Sequence, residues 1–437
     1  MDRERISRRQ EKIAALARTA PQMVLLTLAH HIDLMWMEEA YRRTRKDGAV
    51  GVDGVTAGAY EERLQENLSD LLERFKSGRY RAPPVRRVHI PKAGSTKTRP
   101  IGIPTLEDKI LQRAVLMVLE PVDEQDFLDC SYGFRPGRSA HQALEVLWKG
   151  LMDIGGGWVI DLDLQSYFDS IDHTHLNAFL DQRVRDGVIR RALGKWLHAG
   201  VMEAGVISYP ERGSPQGGVI SPLASNSYLH EVLDQWFEHE VKPRLRGRAL
   251  MVRFADDALM AFEREDDARR VLAVLPKRFE RFGLTLHPEK TRLVDFRPPS
   301  PAAKPGSQRE RSFDLLGFTH HWGRSRKGRW VVQRKTARTR FSRALRQIGD
   351  WCRRNRHRRV AEQQYELSRK LKGHDAYYGI TGNARALSRL RYEVQRRWRK
   401  WLNRRSHAAR LDWAAFNRWL KRYPLPQARV VHSVFAT

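Results

Sequence analysis

The chain has 437 residues, a formal net charge of +29 and a hydrophobic content of 41%. This length allows two or three domains with a sizeable core, and no apolar run approaches the ~20 residues that span a membrane. The charged N-terminal stretch is followed by no secretory apolar region, and two cysteines exclude a zinc module built on paired CxxC motifs. We therefore expect a cytoplasmic protein with no membrane partner.

The positive charge is concentrated in the last quarter of the chain. Residues 321–437 contain 32 Lys and Arg against 6 Asp and Glu, whereas residues 1–320 contain 48 against 45. Most of these basic residues are Arg, whose planar guanidinium can donate two parallel hydrogen bonds to phosphate oxygens. A basic surface that only aids solubility is the alternative, but the interleaved Trp residues favour nucleic-acid binding. The candidates for this contact are Arg353, Arg354, Arg396 and Arg397.

Helical and strand patterns are mixed along the chain, which predicts an α+β fold with a helical C-terminal portion. Pro21 marks a break in the first helical pattern. In chain order, the predicted elements are helices over 6–47 and 57–76, a basic hairpin with strands 85–90 and 99–104, a helix over 106–120, a strand over 158–164, helices over 174–199 and 219–238, a two-strand segment over 250–262, a helix over 266–283, short strands over 312–318 and 330–332, and basic helices from 336 onward.

Closely spaced aspartates lie in two of the predicted strand segments. Asp161 and Asp163 end one strand, and Asp256 and Asp257 form a turn between two others. Adjacent carboxylates repel unless a cation neutralises them, and Mg²⁺ takes carboxylate oxygens together with substrate phosphates. Two such ions can activate a hydroxyl and stabilise a leaving pyrophosphate. Taken alone, the Asp256–Asp257 pair could equally be a solvated turn.

Further motifs surround these aspartates in a fixed order. Phe254-Ala-Asp-Asp257 resembles the YADD box of group II intron reverse transcriptases, with Phe in place of the usual Tyr. Gly213 to Leu223 is similar to the QGG-SPL block of the same family. The resemblance extends from about residue 11 to the C-terminus and is specific because several unrelated blocks occur in one order. Other similar blocks lie at 51–56, 99–104, 131–137, 283–290, 315–318 and 371–379.

The resemblance implies a right-hand polymerase with fingers, a palm built on an antiparallel sheet and a helical thumb. The chain lacks the cysteine pairs of the HNH-type nuclease found in many such proteins, so we expect no endonuclease. The pattern resembles the short bacterial class C type. The implied domains are an N-terminal extension with the first fingers helices (1–80), fingers and palm (81–320), a thumb or maturase domain (321–392) and a short basic DNA-binding region (393–437).

By position, the resemblance also implies the catalytic residues. Asp163 and Asp256 would hold two Mg²⁺ ions, with Mn²⁺ as a possible substitute, and Asp257 would be a more peripheral ligand. Phe168 would be the aromatic gate against a ribose 2′-hydroxyl, because a flat ring leaves no space for the extra oxygen. Core packing is the alternative for Phe168, and Tyr167 is its nearest rival as the gate.

The same resemblance implies contacts to the incoming nucleotide. Lys92 and Arg99 of the basic hairpin would bind the triphosphate, and Gln216 would contact the nucleotide or its pairing partner. Lys290 could protonate the leaving pyrophosphate. Simple solvent exposure is the alternative for Lys92, Arg99 and Lys290. Phe254 keeps an aromatic ring near the primer end without the usual hydroxyl.

Arg135 and Arg138 are two further candidates for nucleic-acid contact. They could hold template backbone or lie on an ordinary surface.

Three functions are compatible with these features. The first function is an RNA-directed DNA polymerase encoded by a group II intron. It would bind the intron RNA as a maturase and act on an RNA template with a DNA primer, deoxynucleoside triphosphates and target DNA. The second is a splicing-only maturase, against which the intact aspartates argue. The third is a related polymerase recruited by a host for defence or repair.

Overall fold

The fold is mixed α+β, as the sequence predicts, and divides into two compact units. The first consists of Met1–Ala143 with Ile160–Leu293, and the second of Leu144–Val159 with Val294–Thr437. Among the described residues, no helix is long and apolar enough to cross a membrane. The computed structural model describes residues 2–91, 98–209, 212–213, 217–300, 311–325, 327–406 and 411–433.

Helices and strands alternate along most of the chain. The α-helices are α1 (Asp2–Thr19), α2 (Leu34–Arg43), α3 (Ala57–Glu61), α4 (Leu64–Ser77), α5 (Leu106–Asp126), α6 (Ala140–Asp153), α7 (Tyr167–Ser170), α8 (His173–Asp181), α9 (Gly187–Leu197), α10 (Ser221–Leu229), α11 (Glu265–Glu280), α12 (Arg338–Arg354), α13 (Val360–Tyr378), α14 (Ala384–Leu402) and α15 (Trp413–Arg422). The strands are β1 (Val85–Pro91), β2 (Thr98–Ile103), β3 (Trp158–Leu162), β4 (Val201–Glu203), β5 (Val206–Ser208), β6 (Ala249–Phe254), β7 (Asp257–Phe262), β8 (Arg292–Asp295), β9 (Phe313–Leu315), β10 (Phe318–Arg324) and β11 (Trp330–Thr336).

Helix α5 lies in the core of the first unit. It begins at Thr105, whose side chain accepts a hydrogen bond from the Asp108 amide, and it buries residues on most of its surface. The indole of Trp36 on α2 donates to the Ala114 carbonyl at 2.9 Å. Helices α1 and α2 both pack against α5, which therefore forms the centre of the N-terminal helices.

The described strands form three sheets. One has the strand order β6-β7-β3-β8, and its β6–β7 pair is an antiparallel hairpin. A second has the order β2-β1-β4-β5, in which β1 is antiparallel to β2 and parallel to β4. The third lies in the second unit and has the antiparallel order β11-β10-β9. The first of these sheets carries the aspartates of the candidate site.

The four C-terminal helices share one apolar core in the second unit. Two predicted domain boundaries fall inside single elements: 320/321 lies within β10, and 392/393 lies within α14. Beyond residue 392, apolar side chains of α14 and α15 pack in the same cluster as those of α12 and α13. The buried members of this cluster are Leu345, Ile348, Cys352, Leu367, Leu371, Leu390, Val394, Trp398, Leu402 and Phe416.

Candidate active site

Asp163 directly follows the buried strand β3 and is fixed through its backbone. Its carbonyl accepts hydrogen bonds from the His287 amide at 2.8 Å and from the Thr291 hydroxyl at 3.2 Å. Its amide lies 3.3 Å from the same Thr291 hydroxyl oxygen. The segment 287–291 therefore sets the position of Asp163 at the end of the strand.

The carboxylate of Asp163 is paired with Lys290. The Lys290 Nζ atom lies 3.0 Å from one carboxylate oxygen and 3.2 Å from the other, and 58% of the lysine side chain is exposed. Asp161, at the end of the same strand, pairs with Arg292 at 3.3 Å. The structure thus brings Lys290 directly beside Asp163, two residues that the sequence analysis assigned to the site from distant parts of the chain.

Asp256 and Asp257 lie at the hairpin between β6 and β7. Phe254 pairs with Asp257, so Ala255 and Asp256 form a two-residue loop. Ala255 has a φ of 57°, which is uncommon for a residue with a side chain and is the conformation that a type II′ hairpin loop requires at its first position. A Cβ atom on Gly133 would lie 2.2 Å from the Ala255 nitrogen, so only glycine allows this close approach to the loop.

Tyr167 follows Asp163 by four residues and lies in the core. Its side chain is buried, and its hydroxyl donates to the Ser225 carbonyl at 2.7 Å. Burial raises the pKa of Tyr167, and the Asp256 carboxylate adds to this rise. The two aspartate segments adjoin neighbouring strands of one sheet, because β3 leads to Asp163 and lies next to β7, which begins at Asp257.

The carboxylates of Asp163, Asp256 and Asp257 have the right chemistry for Mg²⁺, which prefers oxygen ligands. Within the residues that the structure describes, no three His, Cys, Asp or Glu side chains are grouped closely enough to hold a metal ion. Lys290 instead provides the positive charge beside Asp163. The metal-binding role of Asp163, Asp256 and Asp257 therefore remains a prediction.

Phe168 and Tyr167, the two candidates for the sugar gate, have different environments. Tyr167 points into the core, whereas Phe168 is only half-buried, with 5.4 Å between the two ring centres. A gate must reach the substrate, so the burial of Tyr167 favours Phe168 for this role. Phe254, in the hairpin, is also half-buried.

Gly213 and Gly217, which flank Gln216 in the sequence, each lie close to the backbone of another segment. A Cβ atom on Gly213 would lie 2.9 Å from the Asp169 Cα atom, and one on Gly217 would lie 2.4 Å from the Gly102 carbonyl oxygen. Gly213 therefore lies beside the residues next to Phe168, and Gly217 lies beside strand β2, which also carries the exposed Arg99. Gln216 and Lys92 themselves lie outside the described residues.

Arg135 does not lie where the template prediction requires it. Its guanidinium is buried and bonded to Glu124 at 3.0 Å and to the carbonyls of Leu128 and Ser131 at 2.7 and 2.9 Å. These bonds occupy its donors inside the fold, so the structure favours a structural role for Arg135 over the predicted template contact. Arg138 is partly exposed and pairs with Asp129 at 2.5 Å.

The predicted nucleic-acid contacts of the C-terminal region lie on two helices of the second unit. Arg353 and Arg354 are exposed in the last turn of α12. On α14, Arg396 is exposed and pairs with Glu393 at 3.2 Å, whereas Arg397 is half-buried.

A buried ion pair next to the hairpin loop was not predicted from the sequence. Arg253, on β6, has no exposed surface and forms an ion pair with Asp234, which is equally buried. The signal in the sequence was a charged residue within the apolar run Leu250–Phe254, immediately before the aspartate loop. Its partner is 19 positions away and could not be identified from that signal.

Comparison with known proteins places the site in a family. Residues 90–320 match the family described as reverse transcriptase (RNA-dependent DNA polymerase). Protein YkfC of Escherichia coli is 43% identical over 242 residues, which are 54% of this chain and 63% of YkfC. The group II intron-encoded protein LtrA of Lactococcus lactis is 33% identical over 250 residues, 55% of this chain and 41% of LtrA.

A mitochondrial protein of Arabidopsis thaliana named nuclear intron maturase 2 is also similar, with 30% identity over 191 residues, 35% of this chain and 25% of that protein. The chain spans less than two thirds of the length of these relatives. The matched family segment nevertheless covers more than half of the chain and contains both aspartate segments. The predicted resemblance to group II intron reverse transcriptases is thus confirmed, and the chain belongs to the reverse transcriptase (RNA-dependent DNA polymerase) family.

Proposed function

We propose that this protein is an RNA-directed DNA polymerase encoded by a group II intron, and that it also binds the intron RNA as a maturase. The observation that supports this most strongly is that the two aspartate segments adjoin neighbouring strands, β3 and β7, within the part of the chain that matches the reverse transcriptase family. The names of LtrA and of nuclear intron maturase 2 support the connection to introns. Its substrates would be deoxynucleoside triphosphates and an RNA template with a DNA primer.

Reverse transcriptases generally use divalent metal ions, and we assign the ligands here to three carboxylates. Asp163 and Asp256 would hold two Mg²⁺ ions, with Asp257 as a peripheral ligand and Mn²⁺ as a possible substitute. When bound, these ions would activate the primer hydroxyl and stabilise the negative charge on the leaving pyrophosphate.

Other side chains would bind and orient the nucleotide. Lys290, next to the first carboxylate, would supply a proton to the leaving pyrophosphate. Phe168 would fill the space beside the sugar, so that a ribose 2′-hydroxyl is excluded. Arg99 and Lys92 would bind the triphosphate through charge-assisted hydrogen bonds, and Gln216 would contact the nucleotide or its pairing base.

The second unit would bind structured RNA. Its exposed arginines, Arg353, Arg354 and Arg396, are suited to contact RNA phosphates. Such contacts recognise the shape of the RNA more than its sequence. We further propose that the chain is arranged as fingers, palm and thumb. The protein would act in the bacterial cytoplasm, with target DNA as a further partner.

A primer-extension assay tests the polymerase part of this proposal. The purified protein, an RNA template with an annealed DNA primer, the four deoxynucleoside triphosphates and Mg²⁺ should yield full-length cDNA. If no primed template yields cDNA, only the RNA-binding function of a splicing-only maturase remains. A polymerase recruited for defence or repair is distinguished by the DNA that flanks the gene, because an intron-encoded protein lies inside a ribozyme sequence.

A further inference from the structure

A buried ion pair lies directly behind the hairpin loop that carries Asp256. Arg253 Nε lies 2.7 Å and Nη2 lies 2.5 Å from the two carboxylate oxygens of Asp234, and both side chains are 0% exposed. The remaining terminal nitrogen, Nη1, donates to the Ala255 carbonyl at 3.0 Å and to the Asn226 side-chain oxygen at 2.9 Å. One guanidinium thus connects a fixed carboxylate to the carbonyl of the residue that precedes Asp256.

The opposite side of the loop is fixed by Gly133. Asn226 donates from its side-chain nitrogen to the Gly133 carbonyl at 2.7 Å, and the Gly133 Cα lies against the Ala255 amide. The adjacent backbone is tied to β6, because the Tyr132 amide donates to the Arg253 carbonyl at 2.8 Å. Asn226 therefore forms hydrogen bonds with both Arg253 and Gly133. Arg253 donates to the Ala255 carbonyl, and Gly133 packs against the Ala255 nitrogen.

The conformation of Ala255 explains why such support is needed. Its φ of 57° is unfavourable for a residue with a Cβ atom and persists only where the surrounding structure enforces it. A buried ion pair contributes little net stability compared with apolar residues of the same volume, so stability alone is a poor reason for Arg253 and Asp234. Asp234 also ends the π-helical stretch His230–Asp234, a rare backbone form that is often found near functional sites.

We propose that Arg253 is a positioning residue that, together with Asp234 and Asn226, holds the loop in the conformation in which Asp256 and Asp257 can bind divalent metal. Arg253 has no exposed surface and therefore does not touch substrate. The inference rests on the proposed polymerase function, since it assumes that these aspartates are metal ligands.

The test compares Arg253→Lys with the wild type. Lysine keeps the positive charge and can pair with Asp234, but it cannot hold both carboxylate oxygens and the Ala255 carbonyl at once. We expect the Kd for Mn²⁺, measured by electron paramagnetic resonance, to rise about tenfold, as for other residues that orient metal ligands. The kcat for single-nucleotide addition should fall about 10- to 100-fold, with little change in the nucleotide KM.

Arg391→Lys is the matched control, because Arg391 forms a similar buried ion pair with Asp375 in the second unit. It should lower the melting temperature without changing Mn²⁺ affinity. Asn226→Ala leaves the Arg253–Asp234 pair intact and should weaken Mn²⁺ binding in the same direction, which keeps the test valid if Arg253→Lys fails to fold. Asp256→Asn, which removes a proposed metal ligand, shows how far the Mn²⁺ affinity falls when one ligand is lost.

The outcomes separate this inference from the proposed function. An active wild type, combined with wild-type Mn²⁺ affinity and kcat in both Arg253→Lys and Asn226→Ala, would overturn the positioning role alone. A wild type that extends no primer would instead contradict the polymerase function. Weakened Mn²⁺ binding in both variants, with the Arg391→Lys control unchanged, would support the inference.

Discussion

Arginine serves different purposes in the two units of this protein. In the first unit, Arg135, Arg183 and Arg253 are largely buried and paired with carboxylates, and they support the fold around the aspartate site. In the second, acidic residues are scarce, and Arg353 and Arg354 are exposed on a helix. Within the described part of the chain, the second unit has one comparable pair, Arg391 with Asp375, and most of its other arginines have no acidic residue nearby in the sequence. Catalysis and RNA affinity should therefore be separable by mutation.

The strongest test of this separation is Asp256→Asn. Loss of one carboxylate removes several kcal/mol of charge stabilisation at a metal site, which corresponds to at least about a thousandfold loss of DNA synthesis. RNA binding should remain close to that of the wild type, because the aspartate is not part of the basic surface. Primer extension and a filter-binding assay measure the two quantities. Equal loss of both would mean that Asp256 is a structural residue.

A smaller effect is expected from Phe168→Ala, which should admit ribonucleotides. Removal of the ring opens space for a 2′-hydroxyl, and shape-based exclusion of one hydroxyl is worth up to about a hundredfold in discrimination. The ratio of kcat/KM for deoxyribonucleotides to that for ribonucleotides measures the change. Tyr167→Phe is the control, since it removes only the hydrogen bond to Ser225. If Phe168→Ala discriminates against ribonucleotides as well as the wild type does, Phe168 is not the gate.

The double variant Arg353→Ala/Arg354→Ala tests the proposed RNA-binding surface of the second unit. RNA affinity should fall several-fold, and the slope of log affinity against log salt concentration should become shallower by about two, one for each lost phosphate contact. Synthesis on a short primed template should persist. Arg264→Ala, which removes an exposed arginine of the first unit, is the control. An unchanged slope in the double variant would contradict the proposed RNA surface.

The smallest effect is expected from Phe254→Tyr, which restores the hydroxyl of the related motif. The ring is already half-buried in the hairpin, and a single added hydrogen bond near its lower net value corresponds to roughly a twofold change. Steady-state nucleotide addition provides the measurement. A change of tenfold or more would show that the hydroxyl has a catalytic function that this chain has lost.

Local patterns in the sequence were sufficient for the elements that carry the site. The alternating residues of the basic hairpin and the apolar strands around the aspartates formed close to the predicted positions. The predicted helix 174–199 is instead divided into α8 and α9 by Asp186. Its carboxylate accepts hydrogen bonds from the Val188 and Ile189 amides at the start of α9 and from two amides near residue 28. The Asp-Gly pair was a signal for this break, but the distant amides were not visible in the sequence.

Side-chain direction could not be predicted in the same way. Motif resemblance identified Asp163 and Lys290 as site residues, yet it gave no reason to expect their ion pair. Arg135 was predicted either to hold template backbone or to lie on an ordinary surface, and it is buried because Glu124 on α5 and two nearby carbonyls surround its guanidinium. Such partners depend on how helices and loops pack, and spacing in the sequence contains no record of that packing.

The passage of α14 through the predicted boundary at residue 392 limits how this protein can vary in length. A gene shortened at that codon would remove Val394, Trp398 and Phe416 from the shared core of the second unit. Each lost side chain of this size costs about 2–5 kcal/mol, and together they approach the entire free energy of unfolding of an ordinary domain, about 5–15 kcal/mol. A natural variant without this end would need other apolar side chains to complete the core of the helices. If a shortened protein lost RNA binding, the cause would be unfolding of the second unit.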